Sequence, residues 1–193
     1  MRITGGELRG LRVMVPKDRE VRPTQDMVRQ ALFSSLASRV PGCRFLDLFA
    51  GSGAVGLDAW SRGARQVWWV ERNPRVVRVL RENVSRLCAE AAAGRAAVCR
   101  AVEAEALRFL QRRGGGAEFD IVFADPPYAR AGEAAWLREL LVALRSSTVL
   151  APGGTFVMES AVTEAIGGSE GWEQVLDRRY GESRLRAFVR AEA

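Results

Sequence analysis

The stretch Phe45-Leu46-Asp47-Leu48-Phe49-Ala50-Gly51-Ser52-Gly53-Ala54-Val55-Gly56 constrains this chain more than any other. An apolar run of strand length enters a glycine turn, and the turn opens a helical pattern. Gly51 and Gly53 permit a tight turn and close approach to a ligand, while a helix N-terminus presents unpaired N–H groups. In doubly wound sheets such a unit sits where ligands bind, at the carboxyl ends of the strands. The GxGxxG spacing is weak evidence alone, and a plain strand-to-helix turn also satisfies these glycines.

The rest of the chain repeats the theme. Strands are predicted over 44–49, 66–71, 96–102, 119–124 and 155–159, the last after the Pro152-Gly153-Gly154 turn. Helices are predicted over 53–62, from Pro74 onward with Val76, Val77, Leu80, Val84 and Leu87 inward, over 105–112, and within 132–145. Alternating strands and helices imply βαβ units and a mostly parallel, helix-covered sheet. Residues 173–179 and 184–190 alternate as two antiparallel strands. Near the start, residues 2–6 and 10–15 read as a β-hairpin, which Val21-Arg22-Pro23-Thr24 ends. Thr24 is a candidate N-cap for a helix over 25–38, with Val28, Ala31, Leu32, Ser35 and Leu36 on one face. The expected organisation is one domain over 1–193, with a hairpin appendage (1–22) on a Rossmann-like core (23–193).

Composition narrows the chemistry. The chain has no histidine, which removes histidine general bases and Ser-His or Cys-His nucleophiles. Three cysteines (Cys43, Cys88, Cys99) without CxxC spacing argue against a disulfide framework and against a zinc site, so no metal is expected. No stretch has the ~18 uncharged apolar residues of a membrane span. Met1-Arg2-Ile3-Thr4-Gly5-Gly6 lacks an apolar signal core, so a cytoplasmic protein is expected. Of 29 basic residues only Lys17 is lysine, and the formal net charge is +6. Arginine is the better bidentate ligand for phosphate and stacks on bases, which favours a nucleic-acid partner. A GC-rich genome explains the arginine-for-lysine ratio but not the excess of positive charge.

Two carboxylates flank the glycine turn in sequence. Asp47 precedes it, where a pyrophosphate would be repelled and a cationic group attracted. Glu71, at the next strand end, suits a pair of ribose hydroxyls, although an acid near the start of a helix reads the same way. Glu105-Ala106, after the third strand, are candidates for an adenine contact; Glu103 and a simple helix-start role compete. The second strong feature is Phe123-Ala124-Asp125-Pro126-Pro127-Tyr128. Paired prolines fix an extended backbone and remove donors. Asp125 and the Pro126 carbonyl then form two acceptors suited to both hydrogens of an exocyclic amine, and Tyr128 can stack on its base. A proline turn with a capping Asp is the plainer alternative.

In this order, Asp47 through Gly53, Glu71 and Asp125-Pro126-Pro127-Tyr128 resemble the motifs of class I S-adenosylmethionine-dependent amino-methyltransferases. More narrowly, residues 1–6, Arg9-Gly10, Arg22-Pro23-Thr24, 29–33 and Tyr180-Gly181-Glu182 resemble the bacterial RsmD-type 16S rRNA guanine-N2 methyltransferases. Glu105 departs from that pattern, where Asp or Asn is usual. The resemblance implies a seven-stranded, mostly parallel α/β sheet with an antiparallel last strand. It also implies S-adenosyl-L-methionine as cofactor and 16S rRNA, within the small ribosomal subunit or an assembly intermediate, as partner, with a monomeric enzyme expected. Cofactor binding is then expected from Asp47, Phe49, Ala50, Gly51, Ser52, Gly53, Glu71, Arg72, Glu105, Ala106 and Asp125, and catalysis from Asp125, Pro126, Pro127 and Tyr128. RNA contacts are expected from Arg2, Arg9, Arg12, Arg22 and Arg184, with Arg178, Arg179 and Arg186 beside them. The rival classes are an N6-adenine DNA methyltransferase, an NAD-binding oxidoreductase and a non-catalytic RNA-binding protein.

Overall fold

A computed structural model describes residues 1–16, 26–91, 98–112, 119–127, 133–161 and 170–191. The described chain forms five helices, α1 (Asp26–Ser35), α2 (Ala54–Ser61), α3 (Pro74–Ala91), α4 (Ala106–Arg112) and α5 (Glu133–Arg145). Seven strands accompany them: β1 (Arg44–Leu48), β2 (Gln66–Glu71), β3 (Val98–Glu103), β4 (Phe119–Ala124), β5 (Leu150–Ala161), β6 (Trp172–Tyr180) and β7 (Ser183–Arg190). They make one sheet in the order β3-β2-β1-β4-β5-β7-β6. Strands β1 to β5 pair in parallel, and β7 runs antiparallel to both β5 and β6.

The sheet separates two apolar layers. Val28, Leu32 and Phe33 of α1, Leu57 and Trp60 of α2, and Leu80, Val84 and Leu87 of α3 pack with Phe45, Val67 and Trp69 on one face. Phe109 and Leu110 of α4 and Leu137, Leu140 and Leu141 of α5 pack with Leu46, Leu48, Val122 and Phe156 on the other. Consecutive strand residues point to opposite faces, so central strands coated by helices on both sides read as unbroken apolar runs.

The N-terminal hairpin pairs through one antiparallel bridge, Arg2 with Arg12, and through Ile3 N–H to Leu11 C=O at 3.0 Å and Gly10 N–H to Ile3 C=O at 2.9 Å. Its side chains Ile3, Leu8 and Val13 are buried in the α1–α3 layer. A charged network binds it there. Arg29 and Asp58 are fully buried and joined at 2.6 Å, and Arg29 also donates to the Arg2 carbonyl at 2.7 Å. Asp58 accepts from both the amide and the hydroxyl of Thr4 at 2.8 Å.

Three sequence expectations change. The buried face of α1 includes Arg29 and Phe33, whereas Ser35 is exposed, because the face is completed by the Asp58 partnership as well as by apolar contact. Strand β5 begins at Leu150, not after the glycines: Leu150 already pairs with Phe119, and Pro152-Gly153 is absorbed as an irregularity before Thr155 meets Ile121. Pro152 has no N–H to give a ladder and Gly153 turns at φ +69°, so the strand bulges and resumes. Among the described residues strand β3 runs Val98–Glu103, one residue past its expected end, and 96–97 lie outside the described residues. The Thr24 cap lies outside the described residues.

Candidate functional site

The carboxyl ends of β1, β2 and β4 build the site. β1 pairs with β4 so that Leu48 lies opposite Ala124, and with β2 so that Leu48 lies opposite Val70. The Phe49–Gly53 turn, Glu71 and Asp125-Pro126-Pro127 therefore leave the sheet at one edge. Three segments far apart in sequence become neighbours through strand register.

The turn is held in an unusual backbone conformation. Gly51 and Gly53 have φ of +53° and +83°, and Phe49, a bulky side chain, has φ +59°. That region disfavours residues with a Cβ, and positions of this kind cluster at ligand sites. The Phe49 ring meets Trp136 of α5 edge to face, 5.1 Å between centroids. Gly53 ends the turn as the residue preceding α2, and Trp69 Nε1 donates to its carbonyl at 3.0 Å. At Gly56 a Cβ would come within 2.2 Å of Trp69 Nε1, so the third glycine allows α2 to lie directly on β2. Ser52 is buried beneath the turn, and Ala50 is tied to the Val70 carbonyl at 3.0 Å.

Asp47 is 2% exposed, and its Oδ2 accepts from the Gly56 amide at 2.9 Å, in the first turn of α2. Burial pushes its carboxyl well above the usual carboxylate range; the Gly56 hydrogen bond opposes the rise, and the nearby Glu71 charge adds to it. Glu71 is half-buried. Its Oε2 accepts from Gly51 N–H at 3.1 Å and its Oε1 from Asn73 N–H at 2.8 Å, so one carboxylate links the loops after β1 and β2. Arg72 beside it is exposed. Asp125 is half-buried, Pro126 buried and Pro127 exposed. Tyr128 and Arg22 lie outside the described residues.

Glu105 takes the helix-start role. Its Oε1 and Oε2 accept from the Leu107 and Arg108 amides at 3.1 and 2.8 Å, capping α4 just before Ala106. Both oxygens are thus engaged by the helix. Among the arginines, Arg2, Arg9 and Arg12 are exposed. Arg184 instead clasps Asp177 with two hydrogen bonds of 2.6 Å, and this pairing holds the Asp177 carboxyl below its ordinary value. Arg186 is 1% exposed, which removes it from any phosphate-facing surface. Register explains both outcomes: Arg184 and Arg186 lie on an interior strand between β5 and β6, with Arg186 opposite Met158 on one side and Asp177 on the other.

One site residue escaped sequence reasoning. Asn83 is fully buried on α3, where its Nδ2 donates to the Ser52 carbonyl at 2.9 Å and to the Met14 carbonyl at 2.8 Å. Its Oδ1 accepts from Met14 N–H at 2.9 Å. An amide within the stripe formed by Val76, Leu80, Val84 and Leu87 is the signal that marks it.

Sheet order, the reversed β7 and the glycine turn define the chain as a Rossmann-like α/β protein of the methyltransferase type. A Geobacter metallireducens precorrin-6y C5,15-methyltransferase, 19% identical, shares that fold with a TM-score of 0.63. Within this class the chain belongs to the family described as Conserved hypothetical protein 95, whose model matches residues 1–189. It is 36% identical over 166 residues to the Escherichia coli K12 ribosomal RNA small subunit methyltransferase D, covering 86% of this chain and 77% of that protein. A hypothetical protein of known structure from Thermus thermophilus is 36% identical and superposes with a TM-score of 0.77, over 99% of each chain. The RsmD-type resemblance read from the motifs thus holds along nearly the whole chain.

Proposed function

We propose that this protein transfers a methyl group from S-adenosyl-L-methionine to the exocyclic N2 amine of a guanine in 16S rRNA. It acts as a cytoplasmic monomer on the small ribosomal subunit or an assembly intermediate. The observation that carries the reading is the register of Leu48 with Ala124, which sets the glycine turn and Asp125-Pro126 side by side. The Escherichia coli relative, named for rRNA small-subunit methylation, supports the substrate class.

The donor set around the turn fits this cofactor. Two carboxylates, Asp47 and Glu71, flank glycines whose positive φ values keep the backbone open. A carboxyl buried beside the turn, neutral in the free protein and ionised only against a positive charge, suits a cation bearing ribose hydroxyls and gives a pyrophosphate no counter-charge, which counts against a nicotinamide dinucleotide. The sheet order with its reversed β7 also departs from the 3-2-1-4-5-6 dinucleotide pattern. Asp47 balances the positive methionine end, Glu71 takes the ribose hydroxyls, and residues 49–53 with Arg72 line the turn. Ala106 borders the adenine side together with Glu105.

When bound, the cofactor supplies an electrophilic sulfonium methyl. The protein's contribution is orientation and removal of water. Asp125 and the Pro126 carbonyl accept the two amine hydrogens, which leaves the nitrogen lone pair directed at the methyl carbon. Asp125 offsets the positive charge that grows on nitrogen, and Tyr128 stacks on the base once it leaves its helix stack. Pro127 locks the backbone that presents these acceptors. Arg2, Arg9, Arg12 and Arg22 hold the RNA backbone.

The test is transfer of labelled methyl onto unmodified small subunits, naked 16S rRNA and DNA, followed by nucleoside analysis. N2-methylguanosine from the ribosomal substrates is the expected product. Label in DNA adenine, or subunit binding without label, overturns the assignment.

A further inference from the structure

We propose that the outward face of α3, from Arg75 to Arg86, is a phosphate-binding track that leads the RNA strand to the cofactor edge. The proposal rests on RNA being the substrate. It begins from how the fold divides the arginines. Arg29, Arg44, Arg62 and Arg184 face carboxylates at 2.5–2.7 Å, and Arg186 is buried, so these serve the protein itself. On α3 the pattern reverses. Arg75, Arg78, Arg81 and Arg86 are all exposed. The ion pair there is Arg78 with Glu82 at 3.9 Å, between side chains 85% and 56% exposed, a geometry worth little. No described carboxylate lies within ion-pair distance of Arg75 or Arg81. Arg86 donates to the Arg12 carbonyl, a neutral acceptor.

Shape and position match the charge. An open hollow of about 810 Å³ lies between Met14 and α3, where Pro74, Arg78, Arg81, Glu82, Ser85 and Arg86 line it, three arginines to one carboxylate. Its Met14 wall is fixed by Asn83, which bonds both the N–H and the C=O of Met14 and reaches the Ser52 carbonyl under the glycine turn. Pro74 starts α3 three residues after Glu71, so the track opens at the site and extends roughly 16 Å along the helix. The exposed hairpin residue Arg12 adjoins it through the Arg86 hydrogen bond. A strip of exposed arginines of this length matches several successive phosphates.

The test compares wild type with an Arg75→Ala/Arg78→Ala/Arg81→Ala variant, using a 16S rRNA fragment and assembled subunits. A control triple, Arg108→Ala/Arg112→Ala/Arg138→Ala, removes the same charge from α4 and α5 across the sheet. RNA affinity of the α3 variant is expected to fall about tenfold or more, and the slope of log K against log salt to shrink by roughly 2, near 0.7 per lost contact to a single strand. Cofactor affinity and kcat at saturating RNA stay within twofold. Unchanged RNA affinity and slope in a variant of an RNA-methylating wild type overturns the track alone. An equal loss in the control triple also overturns it, as does a loss confined to assembled subunits, which assigns the face to a ribosomal protein. A wild type that neither binds nor methylates RNA overturns the substrate class and the track together.

Discussion

Gly51 gives its backbone N–H to Glu71 Oε2 at 3.1 Å, although twenty residues and a whole helix separate them. The glycine turn and the acid expected to read a ribose are thus one unit, and Glu71 keeps part of its acceptor capacity for a ligand. Replacing Glu71 by Ala should weaken S-adenosylmethionine binding by about 1.5–3 kcal/mol, roughly ten- to a hundredfold in Kd. Calorimetric titration of the cofactor measures it. Glu71→Asp, with a shorter reach, should fall between the two.

Asp125 is expected to act on the amine rather than on the cofactor's affinity. Asp125→Ala should lower single-turnover methyl transfer by at least about 10²-fold, the scale of losing one preorganised electrostatic partner, with cofactor Kd within a few-fold. Full activity in this variant would sink the amine-holding role.

The raised Asp47 carboxyl gives a pH signature. A group lifted in this way favours its neutral form in the free protein, and a bound cation favours the charged form. Binding should therefore release a proton, and cofactor affinity should rise with pH through the raised pKa before levelling. Titrations in buffers of different ionisation enthalpy count the proton. In Asp47→Asn the pH dependence from this group should vanish. Linkage to folding has the opposite sense: a raised carboxyl contributes stability present below its unfolded pKa and lost as pH rises through the folded one.

Gly56→Ala places a methyl 2.2 Å from Trp69 Nε1, inside the contact between α2 and β2. Overpacking of this kind should cost about 1–3 kcal/mol, or roughly 2–4 °C of Tm per kcal/mol in a chain this size. Thermal unfolding checks it, and a Gly56→Ala protein as stable as wild type would mean that α2 can shift away freely.

Asp58→Ala takes from Arg29 its fully buried carboxylate partner, leaves it the more exposed Asp26 at 2.6 Å, and frees Thr4. Because Asp26 still offsets part of the charge, the cost should fall at or below the low end of the roughly 3–5 kcal/mol of a broken buried pair. Proteolysis should then cut the N-terminal hairpin before the sheet, because Arg29, Asp58 and Thr4 tie the two together.

Much of this architecture is legible in local sequence because its signals are local. The apolar runs at 44–49, 66–71 and 119–124 match β1, β2 and β4 to within a residue, and Pro74 opens α3 as its fixed φ suits a first helical position. Gly51 and Gly53 take positive φ because a strand must turn at once into a helix. Order in space is a different matter. Pairing of β1 with β4 requires the chain to close over some seventy residues, and no local propensity encodes it. That pairing, and not the Asp-Pro-Pro motif alone, brings Asp125 to the glycine turn.

The fate of the charged residues was decided by tertiary structure. Sequence counts 29 basic side chains and a surplus of positive charge, enough to point to a polyanion. It cannot tell Arg186, sealed inside the sheet, from Arg78, open on α3, because a guanidinium's surroundings are set by which strand or helix lies across from it. The same holds for Glu105, whose two oxygens cap α4, and for Asn83, which fastens the N-terminal segment to the glycine turn. Local sequence set the strands, helices and turns through propensity and periodicity. Burial and partnership, which depend on neighbours distant in the chain, came only with the assembled sheet.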